Sequence, residues 1–79
     1  VYPNPSKGLF YLELTENAAP WMNDLEVQVS DMTGRKIISL SNLKEFKTTI
    51  DLTTFESGVY LMQIYRKGEL MSYKRLIKK

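Results

Sequence analysis

The sequence predicts a small all-β domain, an antiparallel sandwich of about six to seven short strands. Three observations lead there. Apolar residues recur at every second position in several segments of five to eight residues. Those segments are separated by short runs rich in glycine, proline, asparagine and serine. No window carries the apolar recurrence of an amphipathic helix.

The elements follow in order. Tyr2-Pro3-Asn4-Pro5-Ser6-Lys7-Gly8 is extended-then-turn chemistry, because Pro3 and Pro5 push the residues before them away from helical angles and Gly8 permits a backbone that other residues resist. Phe10, Leu12 and Leu14 then alternate with Tyr11, Glu13 and Thr15, a half-buried strand. Asn17 to Asp24 is a connecting loop, with Trp21 and Met22 expected as a lid over one end of the core. Leu25, Val27 and Val29 form the apolar face of a second strand, which runs into Asp31-Met32-Thr33-Gly34-Arg35. That run reads as a tight hairpin, with Gly34 left-handed and Asp31 accepting from the turn's own amides. The return strand is Lys36 to Leu40, and Ser41 to Glu45 is a further turn.

Phe46 to Leu52 alternates again. Leu52 and Phe55, three apart, both dip towards the core from an irregular loop that ends at Ser57. Gly58 opens the most apolar stretch, Val59 to Tyr65, and its two apolar faces predict a central strand covered on both sides. Tyr60 in this strand reads as core. Arg66-Lys67-Gly68-Glu69 is the last hairpin turn, and Leu70 to Ile77 the final strand.

Seventy-nine residues suffice for one domain, residues 1–79, with a thin stability margin. At 43 % hydrophobic and 25 % charged residues the chain is globular and not disordered. It has neither cysteine nor histidine. That removes disulfides, thiolate zinc sites and histidine bases, so no cofactor, metal or catalytic residue is expected and the domain is read as no enzyme. The serines and threonines have no histidine to activate them. Glu13, Glu16, Asp24 and Glu26 read as solvated surface and not as a catalytic pair. The four glycines precede no helix and cradle no phosphate.

The formal charge is only +2, but Arg66, Lys67, Lys74, Arg75, Lys78 and Lys79 crowd the end with Glu69 as their one acid. Such cations protect a strand edge or meet a partner. Without a basic helical face, nucleic acid is not the expected partner. Val1-Tyr2-Pro3, with no leader before it, reads as the interior of a longer polypeptide. A compact β unit without chemistry is then a binding or addressing module.

Three separated motifs extend this reading. Tyr2-Pro3-Asn4-Pro5 with Gly8 and Phe10, Val29-Ser30-Asp31-Met32-Thr33-Gly34-Arg35, and Gly58-Val59-Tyr60-Leu61 followed by Tyr73-Lys74-Arg75-Leu76 resemble, in that order, the opening, middle and closing boxes of the C-terminal sorting domains of the type IX secretion system (type A, the Por secretion family). The resemblance implies an immunoglobulin-like sandwich following an N-terminal cargo domain of the same chain. It implies export through the periplasm and across the outer membrane of a Gram-negative cell, so that the protein is secreted or held at the cell surface. It further implies recognition by the type IX translocon and its outer-membrane shuttle protein, then removal by a sortase-like peptidase with the cargo released or joined to lipopolysaccharide.

The recognition residues implied are Tyr2, Pro3, Asn4, Pro5, Gly8, Asp31, Gly34, Arg35, Gly58, Tyr60, Lys74, Lys78 and Lys79. Of these, Lys74, Lys78 and Lys79 on the last strand are expected to touch the translocon, helped by main-chain pairing at an exposed edge; the same edge is a candidate for dimer formation. The rival reading is a carbohydrate-binding or purely structural module appended to a secreted hydrolase; carbohydrate binding would need Tyr11, Tyr65 and Tyr73 to share one face.

Overall fold

The computed structural model describes residues 1–14, 22–41 and 43–79. Among them six strands form: β1 (Leu9–Glu13), β2 (Leu25–Asp31), β3 (Lys36–Ser41), β4 (Lys47–Asp51), β5 (Gly58–Arg66) and β6 (Glu69–Lys78). They make two antiparallel sheets, one of β1-β4 and one ordered β3-β2-β5-β6. This is the expected small β-sandwich. Residues 22–24 add one 3₁₀ turn. The expectation for Trp21, together with residues 15–21 of its loop, lies outside the described residues, whereas Met22 is buried in the core.

Period-two alternation decides which side chains meet between the sheets. Phe10 and Leu12 of β1 and Ile50 of β4 face Val27 and Val29 of β2, Tyr60 and Met62 of β5, and Leu76 of β6. Phe10 and Ile50 are direct cross-strand partners, as are Val29 and Met62, and Tyr60 and Leu76. Burying each large apolar side chain contributes roughly 1.5–3 kcal/mol, and with no disulfide this core is the main source of stability. Leu52 is fully buried and Phe55 packs against the core, as their spacing predicts.

Two turns follow their chemistry closely. Lys67 (φ 50°) and Gly68 (φ 83°) both take positive φ between Arg66 and Glu69, the backbone of a two-residue type I′ hairpin whose twist matches its strands. Asp31 caps the β2–β3 turn, with Gly34 at φ 90°.

One expectation is corrected. β5 does lie inside its sheet, between β2 and β6, but it is covered on one side only. Tyr60 and Met62 are buried, while Val59, Leu61 and Tyr65 on the other face remain half-buried. In the sequence the apolar outer face looks the same as a second core face, because composition does not distinguish burial by a sheet from burial by neighbouring side chains. The final strand is also barely anchored. Of its ten residues only Leu76 is buried, because the four-stranded sheet is wider than the two-stranded sheet beneath it.

Gly8 is the tightest backbone position. Its φ is 141°, its carbonyl accepts from the Leu52 amide at 2.7 Å, and a Cβ there would lie 2.9 Å from the Thr53 Cα. Gly8→Ala therefore combines backbone strain with a clash against main chain, and is expected to destabilise by about 3 kcal/mol in urea unfolding. Gly34→Ala, which meets no neighbour within 4 Å, should cost about 1 kcal/mol. Equal costs at the two positions would contradict this packing.

Candidate docking surface

Residues 1–8 do not form a strand of either sheet, yet they join the two. Tyr2 and Tyr11 exchange backbone hydrogen bonds at 2.9 and 2.7 Å, which fixes the chain start to the edge of β1. Both X–Pro bonds, before Pro3 and Pro5, are cis. The chain then crosses to the free side of β6. The Asn4 side chain donates to the Arg75 carbonyl at 2.7 Å and accepts from the Ile77 amide at 3.0 Å. The Ser6 amide donates to the Ile77 carbonyl at 2.9 Å, and the Lys79 amide donates to the Ser6 carbonyl at 2.8 Å, a short parallel pairing. The Ser6 hydroxyl is buried and fully used: it donates to the Leu9 carbonyl at 2.6 Å and accepts from the Gly8 amide at 3.2 Å.

The middle box is a self-contained turn. The Asp31 carboxylate accepts from the Thr33 amide and hydroxyl and from the Arg35 amide, at 2.6–3.0 Å, and pairs with the Arg35 guanidinium at 3.3 Å. Asp51 repeats the device with the Thr53 amide and hydroxyl at 2.9 and 2.6 Å. The threonine hydroxyl is the leading reason that each carboxyl sits below its ordinary value of 3.8, with backbone amides adding to it. Lys78 ties the following loop down by donating to the Thr53 and Phe55 carbonyls.

One residue or more from each box meets at a groove on the outer face of the larger sheet. It encloses about 600 Å³ and is lined by Asn4, Met32, Leu61, Tyr73, Lys74, Arg75 and Ile77. Its floor follows from register: Leu61 lies opposite Arg75, and Tyr73 and Ile77 share the parity of Arg75 on the face turned away from the core. Met32 and Tyr73 are each 69 % exposed.

The recognition residues read from sequence therefore divide. Asn4 and Lys74 reach the groove, with Pro3 and Pro5 flanking Asn4 on an exposed segment. Tyr2 lies elsewhere, over the two-stranded sheet, with its ring 5.7 Å from that of Tyr11, its hydroxyl bonded to Glu13, and Lys47 over both rings. The Glu13 bond pushes the Tyr2 hydroxyl above its ordinary value. Gly8 is packed against Thr53, and Tyr60 is buried with its hydroxyl donating to the Glu56 carbonyl at 2.5 Å. Asp31, Gly34 and Arg35 shape the turn, and Gly58 begins β5 at φ 152°. Lys78 is occupied within the domain, and Lys79 holds Ser6 through its amide while its side chain is exposed.

Sequence reasoning did not single out Ser6, Met32, Leu61, Tyr73, Arg75 or Ile77 as site residues. The signal present for Leu61, Tyr73 and Ile77 was an outward apolar parity on β5 and β6 that matched no opposing layer. The row of Tyr11, Tyr65 and Tyr73 needed for a polysaccharide platform does not form. Tyr11 stands on the two-stranded sheet, and Tyr65 and Tyr73 stand on the outer face of the other.

The sequence pattern of the secretion system C-terminal sorting domain matches residues 1–79, the whole chain. The chain belongs to that family. The sorting domain is thus a type IX sorting signal: it follows an N-terminal cargo, engages the type IX machinery, and leads across the outer membrane to the cell surface or the medium. No curated protein matches the chain.

Two predictions follow from this geometry. Asn4→Ala removes both side-chain bonds to β6 and should cost about 1 kcal/mol. Hydrogen exchange at the Ile77 amide should accelerate, while the Met62 amide changes little. Second, both lowered aspartates favour the folded state when ionised. Their contribution is complete above the ordinary value of 3.8 and is lost as pH falls through the lower folded values. The melting temperature should fall on acidification through this range. The slope should be shallower in Asp31→Asn/Asp51→Asn; an unchanged slope would contradict the assignment.

Proposed function

We propose that the sorting domain is recognised as a folded unit by the outer-membrane shuttle protein of the type IX translocon. A sortase-like peptidase then separates it from the cargo, which is released or joined to lipopolysaccharide. The domain itself carries no catalytic step. It supplies shape and charge, and the peptidase supplies the chemistry.

The observation that carries this reading is the convergence of the three boxes. Asn4, Met32 and the Tyr73–Ile77 stretch are far apart in sequence and line one exposed groove. An address that must be legible beside varied cargo needs a surface that exists only when the domain is complete. The groove meets that need, since Asn4 from the chain start is held by carbonyl and amide groups near the chain end. The middle-box turn presents Met32 at the groove because Asp31 fixes the backbone beneath it.

The absence of histidine and cysteine from the sequence supports a non-catalytic role.

The test is a fluorescent reporter with a periplasmic leader at one end and this domain at the other, made in a cell that has a type IX system. The intact fusion should reach the medium or the cell surface. Removal of residues 70–79 should leave it in the periplasm, as should moving the domain ahead of the reporter. Normal export of either altered fusion would refute recognition of a completed terminal domain.

A further inference from the structure

The free side of β6 is closed over only half its length. The hydrogen bonds of Asn4 and Ser6 to Arg75, Ile77 and Lys79 show that odd-numbered residues of this strand turn their backbone groups away from β5. By the period of two, the Tyr73 amide and carbonyl and the Arg75 amide point to the same side. No residue of the opening segment is paired with them. The edge from Glu69 to Arg75 is thus open, and it carries exposed apolar side chains beside the cations Lys74 and Arg75: Leu70 is 46 %, Met71 55 % and Tyr73 69 % exposed. The opposite edge of the sheet, β3, is shorter, and its Ile37, Ile38 and Leu40 are half-buried.

We propose that this open half of β6 receives an extended, acidic segment of the type IX machinery as a fifth strand. The inference rests on the sorting reading and names the surface and the partner's chemistry. Main-chain bonds at Tyr73 and Arg75 supply the pairing, and alternate apolar side chains of the incoming strand enter the groove over Leu61, Tyr73 and Ile77. Charge selects the occupant. The groove is lined by Lys74 and Arg75 and by no acid, while Lys67, in the turn before the strand, is already paired with Asp24 at 3.9 Å. The same charges oppose a second copy of this domain, because two β6 edges in antiparallel pairing would bring Lys74 and Arg75 of each against those of the other. Asn4 sets the register. Its side chain already fills the positions at the Arg75 carbonyl and the Ile77 amide, so the added strand stops there.

The experiment has two arms. In the first, the isotope-labelled domain is titrated with an octapeptide of alternating glutamate and valine, and separately with its lysine-valine counterpart. Amide shifts should be confined to Tyr73, Arg75, Leu61 and their neighbours, with the acidic peptide at least fivefold tighter. Tyr73→Pro should abolish them and Tyr73→Thr should not, because the Tyr73 amide bonds nothing within the sheet and proline is tolerated at such edge positions. Lys74→Glu/Arg75→Glu, which leaves the backbone alone, should weaken the acidic peptide at least tenfold and guards against a proline variant that fails to fold. Shifts along β3, equal binding of the two peptides, no shift at millimolar peptide, or self-association of the domain through β6 would each overturn the proposal.

In the second arm, the reporter fusion carries the charge-reversed pair or, as a control on the other edge, Lys36→Glu. Export should fall at least tenfold for the pair and stay unchanged for the control. If the parent fusion is exported and the charge-reversed one equally so, this inference fails while the sorting reading stands. If the parent fusion stays in the periplasm, both fail.

Discussion

The hydrogen bonds between the chain start and the last strand are the constraint on which this structure depends. β6 places one side chain, Leu76, in the core. One buried leucine is worth roughly 2 kcal/mol, little against the entropy of ordering a ten-residue strand. β6 is held instead by its ladder to β5 and, at its far end, by Asn4 and Ser6. Ser6 works in both directions, since its hydroxyl fixes the bend into β1 while its backbone pairs with Ile77 and Lys79. Gly8 lets that bend pass within contact of Thr53, and Lys78 closes the same corner from the other side through the 53–55 loop. The two chain ends and the β4–β5 loop therefore form one packed corner.

That corner links fold to function. β1 pairs with β4 and β2 with β5, so neither sheet can be completed from adjacent hairpins alone. Such long-range pairing must wait for most of the chain, and the bonds from Asn4 to Arg75 and Ile77 need nearly all of it. A surface that needs both Asn4 and the Arg75–Ile77 stretch marks a domain that has folded in full. An address read from that surface has a physical reason to span the domain and not reside in a single short peptide.

Much of this was legible in the sequence. Alternation located β1, β2 and β4, since a strand with one wet face writes its burial every second residue, whereas β5 was legible as an apolar run and β3 and β6 as the strands that follow hairpin turns. Lys67-Gly68 and Asp31 to Arg35 announced their turns through residues whose backbone or side-chain chemistry admits few alternatives. Two things were hidden. The outer face of β5 carries Val59, Leu61 and Tyr65, and period-two patterning says that a face is apolar without saying what covers it. The meeting of Asn4 with Arg75 and Ile77 was hidden because a hydrogen bond across 71 residues leaves no local periodicity. The boxes are legible as motifs, but what binds them is one asparagine side chain meeting backbone groups of a distant strand, beside the backbone pairing of Ser6, and neither contact marks its partner in the sequence. The second Asp-x-Thr turn, at Asp51 and Thr53, carried the same spacing as Asp31 and Thr33 and could have been read in the same way.

The segment that holds Asn4 and Ser6 is hydrogen-bonded along the far end of β6. Scalar couplings transmitted through hydrogen bonds in the labelled domain report this directly. Couplings from the Ser6 nitrogen to the Ile77 carbonyl carbon, and from the Lys79 nitrogen to the Ser6 carbonyl carbon, are the predicted result. If both are absent while the couplings between β5 and β6 are present in the same spectrum, the two ends are not joined and the account is wrong.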